Sequence, residues 1–161
     1  DTKGGSLRYF VRKKKKNLKI DKSVKIFLNK ENKFKLYNLT TYKNFEKFIK
    51  SQKKEINKFL SKFNKNLVIG FGASISCITL MYQYKIQDKF KYLIDDNKLK
   101  HGMYSPGSKI LIKDPKQFLF TKNQVLLILS WRFQKNILKK YIKKFNCKIV
   151  QVLPSIKVIK N

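Results

Sequence analysis

From residue 67 onward the chain alternates short unbroken apolar runs with longer amphipathic stretches, a pattern that predicts a parallel sheet flanked by helices. The apolar runs predict strands over 67–71, 90–94, near 109–112, 124–129 and 147–152, and the stretches between them predict helices over 73–85, 115–120 and 132–145. Strands apolar on both faces belong to a sheet covered on both sides, and right-handed crossovers restrict such a sheet to a doubly wound arrangement. Upstream, Tyr42, Phe45, Phe48, Ile49, Ile56, Phe59, Leu60 and Phe63 recur at helical spacing. They predict a long amphipathic helix, capped by Thr40 or Thr41, ended by Asn64-Lys65-Asn66, with its aromatic stripe in the core. Ser23 to Leu28 predicts a short helix with Ser23 as N-cap. Ser6 to Val11 reads as a strand, and Lys13 to Asp21 as a charged connection.

The first of the apolar runs ends in Gly70-Phe71-Gly72-Ala73-Ser74. A strand ending in G-x-G turns tightly and brings backbone amides to a ligand at the next helix's N-terminus, a place for phosphate or ribose. The full dinucleotide fingerprint wants a third glycine where this chain has Ile75. Asp95-Asp96 follows at the distance where an acid meets a ribose hydroxyl, and reads equally well as a strand-ending turn. The expected fold is therefore α/β, a Rossmann-like doubly wound, mainly parallel sheet preceded by a long amphipathic helix. Ligands of such sheets bind outside the carboxyl ends of the strands. That rule singles out Gly70, Gly72, Ala73 and Ser74 for backbone or hydroxyl contacts, Asp95 or Asn97 for sugar hydroxyls, and Lys100 or Arg132 for phosphate. Tyr104 and Trp131 are candidates to stack on a base or pack a sugar; Trp131 reads equally as packing at a helix start. Pro106-Gly107 suits the centre of a type II turn.

Read as one string, Gly70-Phe71-Gly72-Ala73-Ser74, Asp95, Asn97, Lys100, Gly102, Tyr104, Pro106-Gly107, Trp131 and Pro154 resemble the C-terminal domain of sugar C-methyltransferases. The match spans about 40–158, and Gly4-Gly5-Ser6-Leu7-Arg8 before Tyr9 and Phe10 resembles the strand that ends that family's methyltransferase domain. The chain departs from the family pattern at Ser76, Cys77 and Ile78, where the pattern has Lys, Gly and Asn. It departs again at Arg132, which replaces Asn, and at Lys3, which replaces His. The resemblance implies methyl transfer from S-adenosylmethionine to a carbon of a nucleotide-linked keto sugar. It places the donor site and the acid–base residues in a preceding methyltransferase domain, so this chain alone is expected to bind the nucleotide-sugar without turnover and to hold no cofactor. The implied organisation is a terminal strand and linker at 1–20, a helical connector at 21–65 and a Rossmann-like domain at 66–161.

Charge changes the picture less than its size suggests. A net charge of +30 ordinarily points to nucleic acid or an anionic surface, but of 39 basic residues only Arg8, Arg12 and Arg132 are arginine. Nucleic-acid recognition leans on the guanidinium fork, and the abundance of Lys, Asn, Ile, Phe and Tyr is what AT-rich codons produce, so no specific nucleic-acid partner is expected. The run Arg12-Lys13-Lys14-Lys15-Lys16 reads as a solvated loop with a phosphate contact as the alternative. His101 is the single histidine, which excludes a multi-histidine metal site, and Cys77 and Cys147 lack ligand spacing. With neither a signal peptide nor an apolar run of spanning length, a cytoplasmic protein away from membranes is expected. The alternative function is an NAD-type nucleotide-binding oxidoreductase or regulatory domain; the absent third glycine and absent substrate domain count against it.

Overall fold

The computed structural model describes residues 5–13 and 19–160. Lys3, Gly4 and the Lys14, Lys15 and Lys16 part of the basic run lie outside them. The chain divides into two compact units, with the boundary between Ile49 and Lys50.

The first unit contains helix α1 (Lys22–Lys33) and the opening of α2 (Leu39–Leu60). Asp21, two residues before the predicted Ser23, is the N-cap of α1: its Oδ1 accepts the Ser23 N–H at 2.8 Å. A carboxylate there also meets the positive end of the helix dipole, which a hydroxyl does less well. Asn38 takes the corresponding place before α2, accepting the Thr40 N–H at 2.8 Å, while the Thr41 hydroxyl donates to the Lys35 carbonyl at 2.8 Å. Neither threonine caps the helix. Residues 5–13 carry no regular secondary structure, so the strand predicted over 6–11 is not formed. A strand needs a hydrogen-bonding neighbour, and the described residues supply none. The predicted core stripe of α2 is likewise divided: Ile56 and Leu60 are buried, but Tyr42, Phe45 and Phe48 are exposed.

The second unit is a six-stranded sheet built from β1 (Val68–Phe71), β2 (Tyr92–Ile94), β3 (Ile112–Lys113), β4 (Val125–Ile128), β5 (Lys148–Gln151) and β6 (Lys157–Lys160). Its order is β3-β2-β1-β4-β5-β6, with every neighbouring pair parallel except the antiparallel β5 and β6. This mixed, mostly parallel sheet is compatible with a Rossmann-like fold. The chain leaves β1 toward β2 through α3 (Ile75–Tyr84) and leaves β4 toward β5 through α4 (Gln134–Tyr141). These connections run in opposite directions from the centre of the sheet, and two crossovers of the same hand then cover opposite faces.

Every residue of β1 and β4 is buried, as strands sandwiched on both faces require. On one face Ile69, Phe71, Ile94, Leu126, Ile128 and Ile149 pack with Ile137 and Tyr141 of α4 and with Phe145. On the other, Gly70 leaves room for Leu93 and Leu129: a Cβ there would stand 2.7 Å from each of their methyl groups. Asn57 of α2 ties that helix to the end of α3, its amide donating to the Tyr84 carbonyl at 2.8 Å.

One sequence expectation fails downstream, and one strand was missed. Residues 115–117 form one turn, with the Lys116 N–H donating to Asp114 Oδ1 at 2.8 Å, and 118–120 carry no regular secondary structure. Helical geometry would point Phe118 and Phe120 in different directions. Both join an aromatic row, with ring centroids 5.9 Å apart for Tyr92–Phe118, 4.6 Å for Phe118–Phe120 and 4.4 Å for Phe120–Phe145. Strand β6 was not anticipated. Its Lys160 ammonium reaches the carbonyls of Ile142 and Phe145, at 3.0 and 2.7 Å, satisfying groups left open where α4 ends.

Candidate functional site

The chain order reverses between β1 and β4, and the loops leaving the carboxyl ends of β1, β2 and β4 converge there. After β1 the backbone turns through Gly72, whose φ of +114° is open to glycine but strained for other residues. Space requires glycine as well: a Cβ at 72 would lie 2.0 Å from Ser130 Oγ and 2.8 Å from Cys77 Sγ. The Ser130 N–H donates to the Phe71 carbonyl at 3.0 Å, pinning the β4 loop against the β1 turn.

Asp95 is the hub of the cluster. Its Oδ2 accepts the Ala73 N–H at 2.8 Å and the Lys100 ammonium at 3.2 Å, and its Oδ1 accepts the Asn97 N–H at 2.9 Å. The Asn97 carboxamide is itself committed, accepting the Leu99 N–H at 3.1 Å. Gly72 donates its N–H to the Ile94 carbonyl at 2.7 Å. Two of the glycine-turn amides are therefore engaged within the protein. What remains for a ligand is the start of α3: Ser74 is its N-cap but makes no side-chain cap bond, its hydroxyl lying 3.0 Å from Ser76 Oγ and 3.1 Å from Cys77 Sγ. First-turn amides without a cap carry the positive end of a helix dipole and favour an anion.

Across the crevice Trp131 and Arg132 form a short 3₁₀ turn after β4, with the guanidinium 4.4 Å from the indole centroid. Stacking orients the fork while leaving its N–H donors free, and among the described residues Arg132 has no hydrogen-bond acceptor. Of the residues singled out from sequence, Gly72, Ala73, Ser74, Asp95, Asn97, Lys100, Trp131 and Arg132 lie on these converging loops. Gly70 is within β1, where its lack of a side chain serves packing. Tyr104 stands apart, forming an antiparallel bridge with Leu111 outside the edge strand β3. Gly107 does take a positive φ of +74°, but the loop is closed by the Lys109 N–H to the Ser105 carbonyl at 3.0 Å, a wider turn than type II. The Tyr82 hydroxyl fills the place of a side chain there, 2.1 Å from an added Cβ.

Sequence reasoning missed the support beneath this cluster. Asp96 Oδ1 accepts from the Lys140 ammonium at 2.9 Å and from the Tyr141 hydroxyl, joining the end of β2 to α4. Burial opposes charge on Asp96, but the bonds from Tyr141 and Lys140 outweigh it and hold its pKa below the ordinary carboxylate value. Burial first, and then Asp96, push the Tyr141 phenol up. Because the folded pKa of Asp96 is depressed, its contribution to stability is present above about pH 4 and disappears as pH falls through the lowered value. Asp96→Asn should flatten the acid limb of stability below about pH 4, by less than about 1 kcal/mol for so exposed a pair. Urea midpoints measured from pH 3 to 6 check this; an unchanged acid limb would refute it. The signal in the sequence was weak: two residues 44 and 45 positions from their partner.

Cys77 and Cys147 are free and buried, and burial raises the Cys147 thiol to about 12, which makes it inert. Among the described residues no group of three or more His, Cys, Asp or Glu is placed to hold a metal, and no helix is long and apolar enough to cross a membrane.

No curated protein matches the chain. A family model does, over residues 1–154, which takes in both units and every loop of the crevice. The chain belongs to the C-methyltransferase C-terminal domain family.

Proposed function

We propose that this chain is the Rossmann-like substrate domain of an S-adenosylmethionine-dependent C-methyltransferase, and that it holds a nucleotide-linked keto sugar at the β1/β4 crevice. The observation that carries the reading is an uncapped α3 N-terminus beside the β4 loop, Cys77 Sγ lying 3.3 Å from Ser130 Oγ, with the stacked guanidinium of Arg132 two residues further along that loop, a set of groups suited to a diphosphate. In this reading the phosphates lie between Ser74 and Arg132, and Trp131 offers its ring to the base or sugar. The remaining lone pairs of Asp95 accept a sugar hydroxyl. In this reading a methyltransferase domain supplies the methyl donor's site and the proton-transfer groups.

The methyl donor itself does not fit the residues of this crevice. S-adenosylmethionine carries a sulfonium and an ammonium against one carboxylate, and Arg132, Lys100 and the α3 dipole disfavour its net positive charge. The chain's part in the reaction is therefore orientation: fixing the diphosphate restricts the sugar to one approach toward chemistry performed next door.

Calorimetric titration at near-physiological salt with dTDP, a dTDP-sugar, NAD and S-adenosylmethionine tests the reading. Saturable binding of the dTDP-sugar is expected, weakened about tenfold or more by Arg132→Ala, with no response to S-adenosylmethionine. Preferential NAD binding would instead favour a dinucleotide-binding domain. Binding that vanishes at modest salt and ignores Arg132→Ala would mean only polyanion attraction to a +30 surface.

A further inference from the structure

Each crossover of a doubly wound sheet ordinarily carries a helix that covers one face. Between β3 and β4 this chain has a single turn at 115–117 instead, so the edge formed by β2 and β3 lacks a helix on the α4 side. Phe118 and Phe120 cover part of that edge through their aromatic row. A cleft of about 710 Å³ remains, lined by Tyr92, His101, Lys113, Asp114, Gln117 and Phe118. Backbone bonds fix its walls: the Gly102 N–H donates to the Ile112 carbonyl and the Ile112 N–H to the Met103 carbonyl, both at 2.9 Å. The Lys116 N–H holds Asp114 by its Oδ1 at 2.8 Å, which leaves Oδ2 for the cleft.

The lining specifies a ligand. The Lys113 ammonium stands 3.8 Å from the centroid of the Tyr92 ring and 5.8 Å from that of Phe118, and among the described residues it has no carboxylate partner. A half-buried cation has given up part of its water shell, so an anion brought to it gains more than at a lysine in open solvent. His101 Nε2 donates to the Asp95 carbonyl at 2.7 Å, which sets Nδ1 3.8 Å from Asp114 Oδ2, too far for a hydrogen bond between them. Neighbouring hydroxyls of a sugar ring span a gap of that size, and the Gln117 carboxamide both donates and accepts beside them. We infer that this cleft binds a monosaccharide bearing one anionic group. The anion lies on Lys113, two adjacent hydroxyls meet Asp114 and His101, and the carbon face of the ring packs on Phe118. The field of a +30 chain favours such a net anion over a zwitterion of similar size. None of these side chains is among those assigned to the β1/β4 crevice, and the inference does not rest on the substrate reading.

Calorimetric titration of the full chain at near-physiological salt with glucose 1-phosphate, glucuronate, glucose and inorganic phosphate tests this. The ring signal of the single histidine, followed by NMR at constant pH, reports where the sugar sits without any substitution. At least one of the two acidic sugars is expected to bind about tenfold more tightly than glucose or inorganic phosphate, and to shift the His101 signal to saturation. Whichever of the two binds more tightly identifies the anionic group as phosphate or carboxylate. Lys113→Gln should weaken that sugar about tenfold. Asp114→Asn keeps an oxygen for the Lys116 N–H, and should weaken the sugar about threefold or more while leaving inorganic phosphate unchanged. Arg132→Ala should leave its affinity as it was. Acidic sugars that bind no better than inorganic phosphate, or that leave the His101 signal unmoved, would overturn the inference. So would binding that is lost in Arg132→Ala and indifferent to Lys113→Gln, which would put the sugar in the crevice.

Discussion

Gly72→Ala is expected to lower the melting temperature by about 10 °C, the equivalent of about 3 kcal/mol in a domain of this size. Two causes add. A φ of +114° is strained for any residue with a Cβ, and the new methyl would stand 2.0 Å from Ser130 Oγ and 2.8 Å from Cys77 Sγ. Neither neighbour yields readily: Cys77 is buried, and the Ser130 backbone is pinned to Phe71. Thermal unfolding followed by circular dichroism checks the magnitude. Adding Ser130→Gly to Gly72→Ala separates the causes, because it removes the closest clash and leaves the backbone strain; partial recovery, by roughly half, is expected. A Gly72→Ala melting point within about 2 °C of the parent would mean that the turn relaxes and that neither term operates.

Asp95→Ala should cost roughly 2–3 kcal/mol and weaken dTDP-sugar binding by more than about tenfold. The carboxylate satisfies two backbone N–H groups and the Lys100 ammonium, so its removal leaves Ala73 and Asn97 without acceptors. Asp95→Asn keeps one acceptor oxygen and loses the charge, and should fall between the two. Denaturant midpoints and calorimetry on the three proteins measure both effects. If alanine and asparagine variants both matched the parent in stability, the hub assigned to Asp95 would be wrong; if stability fell while affinity held, Asp95 would be structural and the sugar would bind elsewhere.

Much of the sheet was legible because its strands are nearly pure apolar runs. Val68–Phe71 and Val125–Ile128 are buried on both faces, and no other arrangement hides four consecutive apolar residues in so short a strand. The glycine turn was legible for a related reason, since only glycine tolerates the angle that follows β1. The helix predicted over 115–120 failed because local propensity says nothing about an aromatic row: Phe118 and Phe120 gain more by reaching Tyr92 and Phe145 than a single helical turn returns. Strand β6 escaped because a four-residue edge strand with two aliphatic residues between lysines resembles the rest of this lysine-rich surface. The caps were misplaced by two or three residues for a similar reason: Asp21 and Asn38 compete with nearby Ser23, Thr40 and Thr41, and backbone geometry chooses among them.

In the crevice, residue types were readable and their duties were not. Asp95 stood out by its spacing from the glycines as a group for sugar hydroxyls, yet three of its bonds turn inward, because a carboxylate at the end of β2 lies within reach of the Ala73 amide. Arg132 was conspicuous as one of three arginines, but only folding stacks it on Trp131, with no acceptor for its donors among the described residues. Sequence by itself determined the alternation of strand and helix and the place where the chain must turn through glycine, since these depend on local periodicity and backbone sterics, and its string of motifs carried the resemblance to the family. Tertiary structure alone decided the reversal of strand order between β1 and β4, the inward commitment of Asp95, the Asp96–Tyr141 support and the position of His101 between two carboxylate residues. Each of those joins parts of the chain that only the packing of the sheet brings within hydrogen-bonding or ion-pairing distance.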